Sequence, residues 1–373
     1  MKHQPPYRYD YVGSFLRPTA LRTARADFAA GKIGRDELTA VEDAAIRDLV
    51  AKQQAMGLKV ITDGEFRRAT WHLDFMWGFE GVGHSPTKFG LPFHDEAAML
   101  DDTYLTGRVS VDTHPFVAHY RFVKALEDEH TVAKQTIPAP AQFLEQMILP
   151  MAMENTRRYY ADTEELVEDI AAGYRKVIRQ LYDAGCRAIQ FDDCSWGMCV
   201  DPAAPRIFGT DEAGMQNVME QLLRINNLAI EGRPEDLTIT THVCRGNFHS
   251  TWASSGAYDR VAQTLVAREN VSAYYLEFDD ARSGGFAPLA AVSGDKKVVL
   301  GLITTKHPEL EDREKIVRRI HAAAEFLPLE RLCLSPQCGF ASCEIGNKLT
   351  EEEQWAKLRL VQEIAREVWP DAE

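Results

Sequence analysis

Helical segments and short apolar runs alternate along most of this sequence. Residues 36–57 carry apolar side chains at spacings of three and four, with Asp36 as the expected N-cap and Gly57 as the expected C-terminal stop. The run LKVIT (58–62) follows this helix, and residues 161–193 repeat the same order. Strands that are separated by helices pair in parallel. The sequence therefore predicts a parallel α/β fold.

About eight runs fit a strand by alternation and β-branching. They are YVGSF (11–15), LKVIT (58–62), HTVAKQTI (130–137), CRAIQF (186–191), LTITTHVC (237–244), SAYYLEF (272–278), KVVLGLI (297–303) and RLCLS (331–335). This pattern in a chain of 373 residues predicts a single (β/α)8 TIM barrel over residues 1–373. The alternative is a doubly wound open sheet, but the first turn lacks the GxGxxG motif of the dinucleotide-binding form.

One long stretch interrupts this alternation after strand 2. Residues 65–129 are too long for a plain crossover, and they contain GVGHSPTKFGLPF and TYLTGRVSVD, which are typical of turns and a short hairpin. We therefore expect an insertion that lies over the mouth of the barrel.

Charge and cysteine content restrict the class of partner. The formal net charge is −14, and an acidic surface repels phosphate backbones, so nucleic acid is not an expected partner. No stretch approaches the roughly 20 apolar residues that span a bilayer, and the first residues lack the apolar core of a signal peptide. We expect a cytoplasmic protein with no membrane partner. Its seven cysteines, an odd number, favour free thiols or a metal over a disulfide framework.

The loops that follow the strands of a (β/α)8 barrel form its active site. Polar residues at the predicted strand ends should therefore converge in one pocket. They are Ser14, Asp63, Glu65, Asp192, Asp193, His242, Cys244, Glu277, Lys306, His307 and Cys338.

Within this set, His242 and Cys244 lie two residues apart on an extended strand, so their side chains point to the same side. They could bind one ion, and Glu277 with Cys338 would complete a tetrahedral set. Thiolates together with imidazole favour Zn²⁺ over calcium, magnesium or manganese. The rival ligands that spacing leaves open are Cys194, Cys199 and Cys343.

With these residues assembled, the chain resembles the C-terminal catalytic barrel of cobalamin-independent methionine synthase. It looks closest to the short, single-barrel relatives described as methionine-synthase-II-like, over nearly its whole length. The motifs that carry the resemblance are VGSFLRP (12–18), ITDGEFRR (61–68), IQFDD (189–193), THVC (241–244), LEFDDARSG (276–284), LGLITTKHP (300–308) and LSPQCGF (334–340).

The resemblance implies a role for particular residues. The positions that match the family's zinc ligands are His242, Cys244, Glu277 and Cys338. In that family, acidic residues of the ITDGE-type and IQ-x-D-type motifs bind the amino group of homocysteine, and the serine of an IGSF-type turn helps to bind the amino acid. The matching positions are Glu65, Asp192 and Ser14.

This chain departs from the family's pattern on the side of the methyl donor. The large members carry a second, N-terminal barrel, for which this chain has no room. Their proton donor to the departing folate nitrogen is a histidine in an HSP-type turn, where this chain has Lys306-His307-Pro308. We expect His307 or a nearby acid to donate the proton, and Lys306 to bind an anionic donor. No tryptophan matches the one that stacks on the folate.

The implied function is a zinc-dependent S-methyltransferase of methionine biosynthesis, similar to 5-methyltetrahydropteroyltriglutamate–homocysteine S-methyltransferase. The donor is left open between a methylated folate, a methylated corrinoid protein and a small S-methyl compound. One alternative is an alkyltransferase for another thiol, of the epoxyalkane:coenzyme M type. Others are a zinc hydrolase, a zinc protein of the same fold that transfers no methyl group, and a metal-free relative of uroporphyrinogen decarboxylase. The sequence allows a homo-oligomer.

Overall fold

Helices and parallel strands alternate in the structure, a computed structural model that describes residues 4–372. The strands are β1 (Val60–Ile61), β2 (Glu80–Ser85), β3 (Leu91–Pro92), β4 (Ala97–Ala98), β5 (Asp102–Ser110), β6 (Val132–Ala133), β7 (Gln135–Pro138), β8 (Ala188–Asp193), β9 (Thr238–Val243), β10 (Ala273–Glu277), β11 (Lys297–Ile303) and β12 (Leu332–Pro336).

The described residues also form α-helices. They are α1 (Thr19–Ala29), α2 (Arg35–Ala55), α3 (Leu73–Met76), α4 (Pro115–Lys124), α5 (Pro140–Ile148), α6 (Met153–Thr156), α7 (Thr163–Asp183), α8 (Ser195–Cys199), α9 (Ala204–Ile207), α10 (Met215–Ala229), α11 (Asp259–Val261), α12 (Arg313–Ala324) and α13 (Glu351–Val368). A π-helical turn spans Ala262–Val266, and 3₁₀ turns span Ala281–Ser283, Ala287–Ala291 and Leu329–Arg331.

A six-stranded parallel sheet, in the order β12-β11-β10-β9-β8-β7, forms the centre of the fold. All six residues of β8 are buried, as expected for a parallel strand that is covered on both faces. In the register of this sheet, Asp192 of β8 lies opposite His242 of β9. The carboxyl ends of the strands, which the sequence marks as functional, therefore lie side by side.

The remaining parallel pairing joins β1 to β6, and only Lys134 separates β6 from β7. The predicted first strand, residues 11–15, is not a strand. Its neighbour Tyr9 forms a single parallel bridge with Leu334 of β12. The structure is thus a TIM-barrel-like α/β fold, and the strand pairing of residues 4–372 does not show closure into the predicted eight-stranded barrel.

Side chains explain why the segment before α1 forms no ladder. The carbonyl oxygen of Tyr11 accepts from Lys134 Nζ, and that of Val12 accepts from Gln190 Nε2 at 2.9 Å. The carbonyl oxygen of Gly13 accepts from Thr62 Oγ1 at 2.7 Å. Because these acceptors are already satisfied by side chains, no neighbouring backbone N–H pairs with them.

The helix boundaries partly follow the predictions. Gly57 has a φ of 79°, which confirms it as a C-terminal stop. Asp36 is not the N-cap of α2, because the helix begins one residue earlier, at Arg35. Gly34 is the N-cap, and the side chain of Glu37 accepts from its N–H at 3.0 Å.

Residues 65–129 contain small antiparallel pairs, in keeping with the turns and hairpin expected there. β2 pairs with β5, and β3 pairs with β4. The division of the chain into one barrel and one insertion stays a prediction. Across residues 4–372, no helix has both the length and the apolar character needed to cross a membrane.

Candidate metal centre and acceptor pocket

Three potential metal ligands meet at the carboxyl ends of β9 and β12. His242 lies near the end of β9, Cys244 directly follows that strand, and Cys338 follows β12. One ligand atom from each of these buried side chains lies within 4.8 Å of the other two. The sulfur atoms of Cys244 and Cys338 are 3.6 Å apart. The structure thus brings together three of the four side chains that the sequence predicts as zinc ligands.

The orientation of the His242 ring leaves one nitrogen free for a metal. Its Nδ1 lies 3.2 Å from the carbonyl oxygen of Tyr275 in β10. An N–H at Nδ1 that donates to this carbonyl leaves the lone pair on Nε2. That atom is buried and has no hydrogen-bond partner within residues 4–372. A buried nitrogen acceptor without a partner, beside two thiols, fits the donor set of a zinc site.

The two thiols are protonated when no metal is bound. The Cys194 thiol and burial raise the pKa of Cys244, and the Cys244 thiol and burial raise the pKa of Cys338. Zinc is bound by thiolates, so metal binding at this cluster releases protons.

Glu277, the fourth predicted ligand, lies outside the group of three. Its buried carboxylate accepts from the backbone N–H of Arg245 at 2.9 Å, from Arg282 at 3.1 Å and from Lys306 at 3.4 Å. Burial alone would raise the pKa of Glu277, but Lys306, Arg245 and Arg282 together lower it. The carboxylate is therefore ionised and already satisfied, and its role as a metal ligand stays a prediction.

Lys306, predicted to bind an anionic donor, and His307, the predicted proton donor, lie in different environments. Lys306 is buried and forms ion pairs with Glu277 at 3.4 Å and Asp279 at 3.1 Å. Burial lowers its pKa, but these two carboxylates raise it above its ordinary value. His307 is exposed. Neither side chain lines the cavity that reaches the His–Cys–Cys cluster.

That cavity contains about 860 Å³ of empty space, part of it open to solvent. The predicted substrate-binding residues Ser14, Glu65 and Asp192 line it together with the three cluster residues. Gly339 allows the close approach of Ser14, because a Cβ at Gly339 would lie 1.9 Å from Ser14 Oγ.

The carboxylate of Glu65, in the cavity wall, has one oxygen atom that accepts no hydrogen bond from the described residues. Glu65 has a φ of 63°, which is unusual for a residue other than glycine. Its Oε1 accepts from Thr136 at 2.9 Å and lies 3.2 Å from the guanidinium of Arg68. Its Oε2 is buried and has no partner among the described residues. A ligand that donates hydrogen bonds, such as an ammonium group, would satisfy this oxygen.

Asp192 is the second acidic group of the cavity wall, and its Oδ1 accepts from Gln190 at 2.7 Å. Burial raises the pKa of both carboxyl groups to about 7, and Asp192 contributes to the rise at Glu65. An incoming cation would favour the ionised form of each. This part of the cavity is therefore suited to a positively charged group.

Other wall residues were not predicted from the sequence. Trp71, His72, Phe93, Phe248 and Gln142 line the cavity. Gln142 lies in α5, whereas the other four lie in loops or next to short elements, where no hydrophobic period predicts them. Trp71 and His72 lie three and four residues after the ITDGEFRR motif (61–68), and this position is the sequence signal for them.

Cys194, Cys199 and Cys343, which spacing leaves open as metal ligands, lie outside the metal cluster. Cys194 and Cys343 line the same cavity, whereas Cys199 is buried and does not. None of the three belongs to the cluster of ligand atoms within 4.8 Å. Helix α8, which follows Cys194, packs tightly on the cluster: a Cβ on its Gly197 would lie 1.9 Å from the carbonyl oxygen of Cys244.

Comparison with known families gives an extended match. Residues 10–76 and 133–367 match the model of the catalytic domain of cobalamin-independent synthases. Protein YxjH of Bacillus subtilis, described as uncharacterized, is 43% identical over 99% of this chain and 96% of its own length. The 5-methyltetrahydropteroyltriglutamate–homocysteine methyltransferase of Mycolicibacterium paratuberculosis is 24% identical over 90% of this chain, which spans 40% of that protein.

Solved structures show the same fold. A Listeria monocytogenes protein, provisionally described as a vitamin-B12-independent methionine synthase, is 37% identical with a TM-score of 0.76, and the match covers 99% of each chain. A B12-independent methionine synthase from Shewanella sp. W3-18-1, in complex with selenomethionine, has a TM-score of 0.70 at 20% identity over 97% of each chain. The second likeness supports the fold alone.

Proposed function

This chain belongs to the family of cobalamin-independent synthase catalytic domains, and we propose that it transfers a methyl group to the sulfur of homocysteine. The family consists of methionine-synthase-type methyltransferases. The proposed zinc ligands are His242, Cys244 and Cys338, with Glu277 as the fourth. When bound, the metal lowers the pKa of a substrate thiol and so supplies a thiolate nucleophile.

The observation that carries this proposal is the Nε2 of His242, which has no hydrogen-bond partner among residues 4–372 and lies beside two sulfur atoms 3.6 Å apart in the wall of a cavity. Two thiolates make zinc a weak Lewis acid for hydrolysis but leave a bound sulfur nucleophilic. A purely structural site would be closed to ligands, whereas this cluster borders a cavity.

The remaining predicted residues fit the recognition of an amino-acid thiol. Glu65 and Asp192 would bind the ammonium group of homocysteine, and Ser14 would complete the contact. A sulfonate thiol would instead need a cationic anchor. Arg245, the one Lys or Arg side chain among the described wall residues, already donates to the carbonyl oxygens of Glu277 and Gly256.

Glu277 has partners that would hold it away from the metal. Arg245 N–H, Arg282 and Lys306 satisfy its carboxylate outside the cluster, so displacement of Glu277 by a substrate thiol would leave no buried charge unpaired. This arrangement supports the hypothesis that Glu277 is the exchangeable ligand. Four further expectations stay predictions. They are proton donation by His307, the insertion at residues 65–129, a cytoplasmic location and a homo-oligomer.

Cobalt substitution tests the proposed acceptor. We expect homocysteine to intensify the sulfur-to-metal charge-transfer absorption of the Co²⁺-loaded protein, because its thiolate adds a sulfur ligand. Absorption spectra recorded during a homocysteine titration measure this. 2-Mercaptoethanesulfonate is the control and should require a much higher concentration. An equal response to both thiols would favour the coenzyme M type of alkyltransferase, and no response to homocysteine would reject the proposal.

The pH dependence of amino-acid binding tests the roles of Glu65 and Asp192. Both have a pKa of about 7, so lowering the pH from 8 to 6 protonates them and removes their attraction for an ammonium group. We expect the Kd of L-methionine, which has no thiol to titrate, to rise about tenfold or more over this range. Isothermal titration calorimetry measures it. For 4-(methylthio)butanoate, which lacks the amino group, we expect no such rise; a pH-independent Kd for methionine would contradict the assignment.

A further inference from the structure

Lys306 and Asp279 form a buried ion pair next to the carboxylate of Glu277. Lys306 Nζ lies 3.1 Å from Asp279 Oδ2 and 3.4 Å from Glu277 Oε1. The side chains of all three residues are at most 4% exposed. One cation is therefore shared between two carboxylates in a part of the protein that excludes most water, where charges interact strongly.

The extended backbone at the end of β10 places both carboxylates on the same side. Glu277 is the last residue of β10, and Phe278 continues the ladder, because its N–H donates to the carbonyl oxygen of Gly301 in β11 at 2.9 Å. Side chains two residues apart on an extended segment point to the same side. The LEFDDARSG motif thus brings a second carboxylate, that of Asp279, to the ammonium group of Lys306, which follows β11.

Arg282, the other side-chain cation at Glu277, is held by a third carboxylate. Its Nε and its backbone N–H both donate to Asp280, each at 2.8 Å. The Nζ of Lys306, by contrast, contacts only Glu277 and Asp279 among the side chains and backbone of residues 4–372. The position of the Lys306 ammonium is therefore decided by the balance between these two carboxylates.

Asp279 keeps Lys306 paired whichever partner Glu277 has. The Oδ2 of Asp279 accepts from Lys306, and its Oδ1 is buried without a partner in the described part of the chain. When Glu277 serves as a metal ligand, the ammonium group of Lys306 loses one carboxylate but retains the other. An unpaired buried charge would be costly, and Asp279 prevents this. Glu277 can therefore change its partner without leaving a buried cation alone.

We propose that Lys306 and Asp279 are positioning residues that set how readily Glu277 gives up its place as a metal ligand to the acceptor thiol. The inference rests on the proposed function, in which Glu277 is the exchangeable ligand. Lys306 attracts the released carboxylate, and Asp279 weakens that attraction because it competes for the same ammonium group. The incoming thiol loses its proton to solvent, so a thiolate replaces a carboxylate and the net charge of the cluster is unchanged.

Two variants should shift thiol binding in opposite directions. Asp279→Asn leaves the charge of Lys306 to Glu277 alone, so we expect the Kd of homocysteine for the Co²⁺-loaded full chain to fall about threefold. Asp279→Asn combined with Lys306→Met removes both charges, while Glu277 keeps Arg282 as a partner. We expect this double variant to raise the Kd about tenfold above that of the wild type. The sulfur-to-metal charge-transfer absorption measures both values.

The affinity for zinc separates a positioning role from a structural one. A carboxylate that Lys306 holds is less available to the metal, so Asp279→Asn should lower the zinc affinity and the double variant should raise it. Competition with a chromophoric chelator, without thiol, measures this. A change that only loosened the fold would weaken the binding of zinc and of homocysteine together. Asp279→Asn combined with Lys306→Arg keeps the cation and should resemble Asp279→Asn in both measurements.

The single variant decides the outcome even if the double variant fails to fold. An unchanged or higher homocysteine Kd for Asp279→Asn would overturn the inference, as would a parallel loss of zinc and homocysteine binding in the double variant. The proposed function stands in these cases if homocysteine changes the spectrum of the cobalt-loaded wild type. If that spectrum does not respond to homocysteine, the proposed function fails, and the inference fails with it.

Discussion

Cys338→Ser is expected to empty the metal centre and reduce homocysteine methylation by more than about a hundredfold. A serine hydroxyl is a far poorer zinc ligand than a thiolate, and Cys338 supplies one of the two sulfur atoms of the cluster. Cys244→Ser should have the same effect. Elemental analysis after dialysis measures the zinc content, and circular dichroism should show a folded protein.

The two other cysteines of the cavity wall provide matched controls. Cys194→Ser and Cys343→Ser change a thiol in the same cavity, but neither residue belongs to the three-ligand cluster. We expect both variants to retain one zinc per chain. Full zinc retention by Cys338→Ser, or loss of zinc from Cys194→Ser, would refute the ligand assignment.

Lys134→Met is expected to lower the free energy of unfolding by about 3–5 kcal/mol. Lys134 and Asp10 form an ion pair of 3.3 Å whose side chains are 1% and 0% exposed. Lys134 also donates to Gln190 at 2.9 Å. Methionine keeps the length of the side chain but leaves the Asp10 carboxylate buried without its cation. Urea denaturation followed by circular dichroism measures the change.

An exposed ion pair is the control for this prediction. Arg313 and Glu367 are paired with side chains 47% and 46% exposed. Arg313→Met removes this pair and should cost less than about 1 kcal/mol, because solvent screens exposed charges. A cost for Lys134→Met as small as that of the control would show that the buried pair does not stabilise the fold.

The sequence predicts the later strands and the edge of the sheet that carries the site. β8 to β12 coincide with apolar, β-branched runs, because parallel strands that are covered on both faces need such side chains. The convergence of His242, Cys244 and Cys338 follows from that topology. These residues could be chosen because a His-x-Cys pair on one strand and a cysteine at the end of another supply ligand types that zinc prefers.

The features that the sequence does not predict depend on contacts between distant parts of the chain. Residues 11–15 have the composition of a strand, but the carbonyl groups of residues 11–13 are bound by side chains from residues 62, 134 and 190. Glu277 is held outside the cluster by Arg282 and Lys306, whose charges come from two different loops. The aromatic side chains of the cavity, Trp71, Phe93 and Phe248, lie in loops without a hydrophobic period. None of these contacts can be recognised from a local pattern in the sequence.

The three residues before Ser14 are attached to the sheet by side chains, with a backbone hydrogen bond from Phe340 N–H to the Ser14 carbonyl oxygen, whereas the metal ligands follow strands of the backbone ladder. The Ser14 segment and the metal ligands therefore differ in how readily substitutions can move them during evolution. An exchange of one or two of the side chains that bind residues 11–13 could shift Ser14 and alter the choice of thiol. Strand pairing would keep the metal ligands in place. A common sulfur-activating centre could in this way serve different acceptors in different descendants of one ancestor.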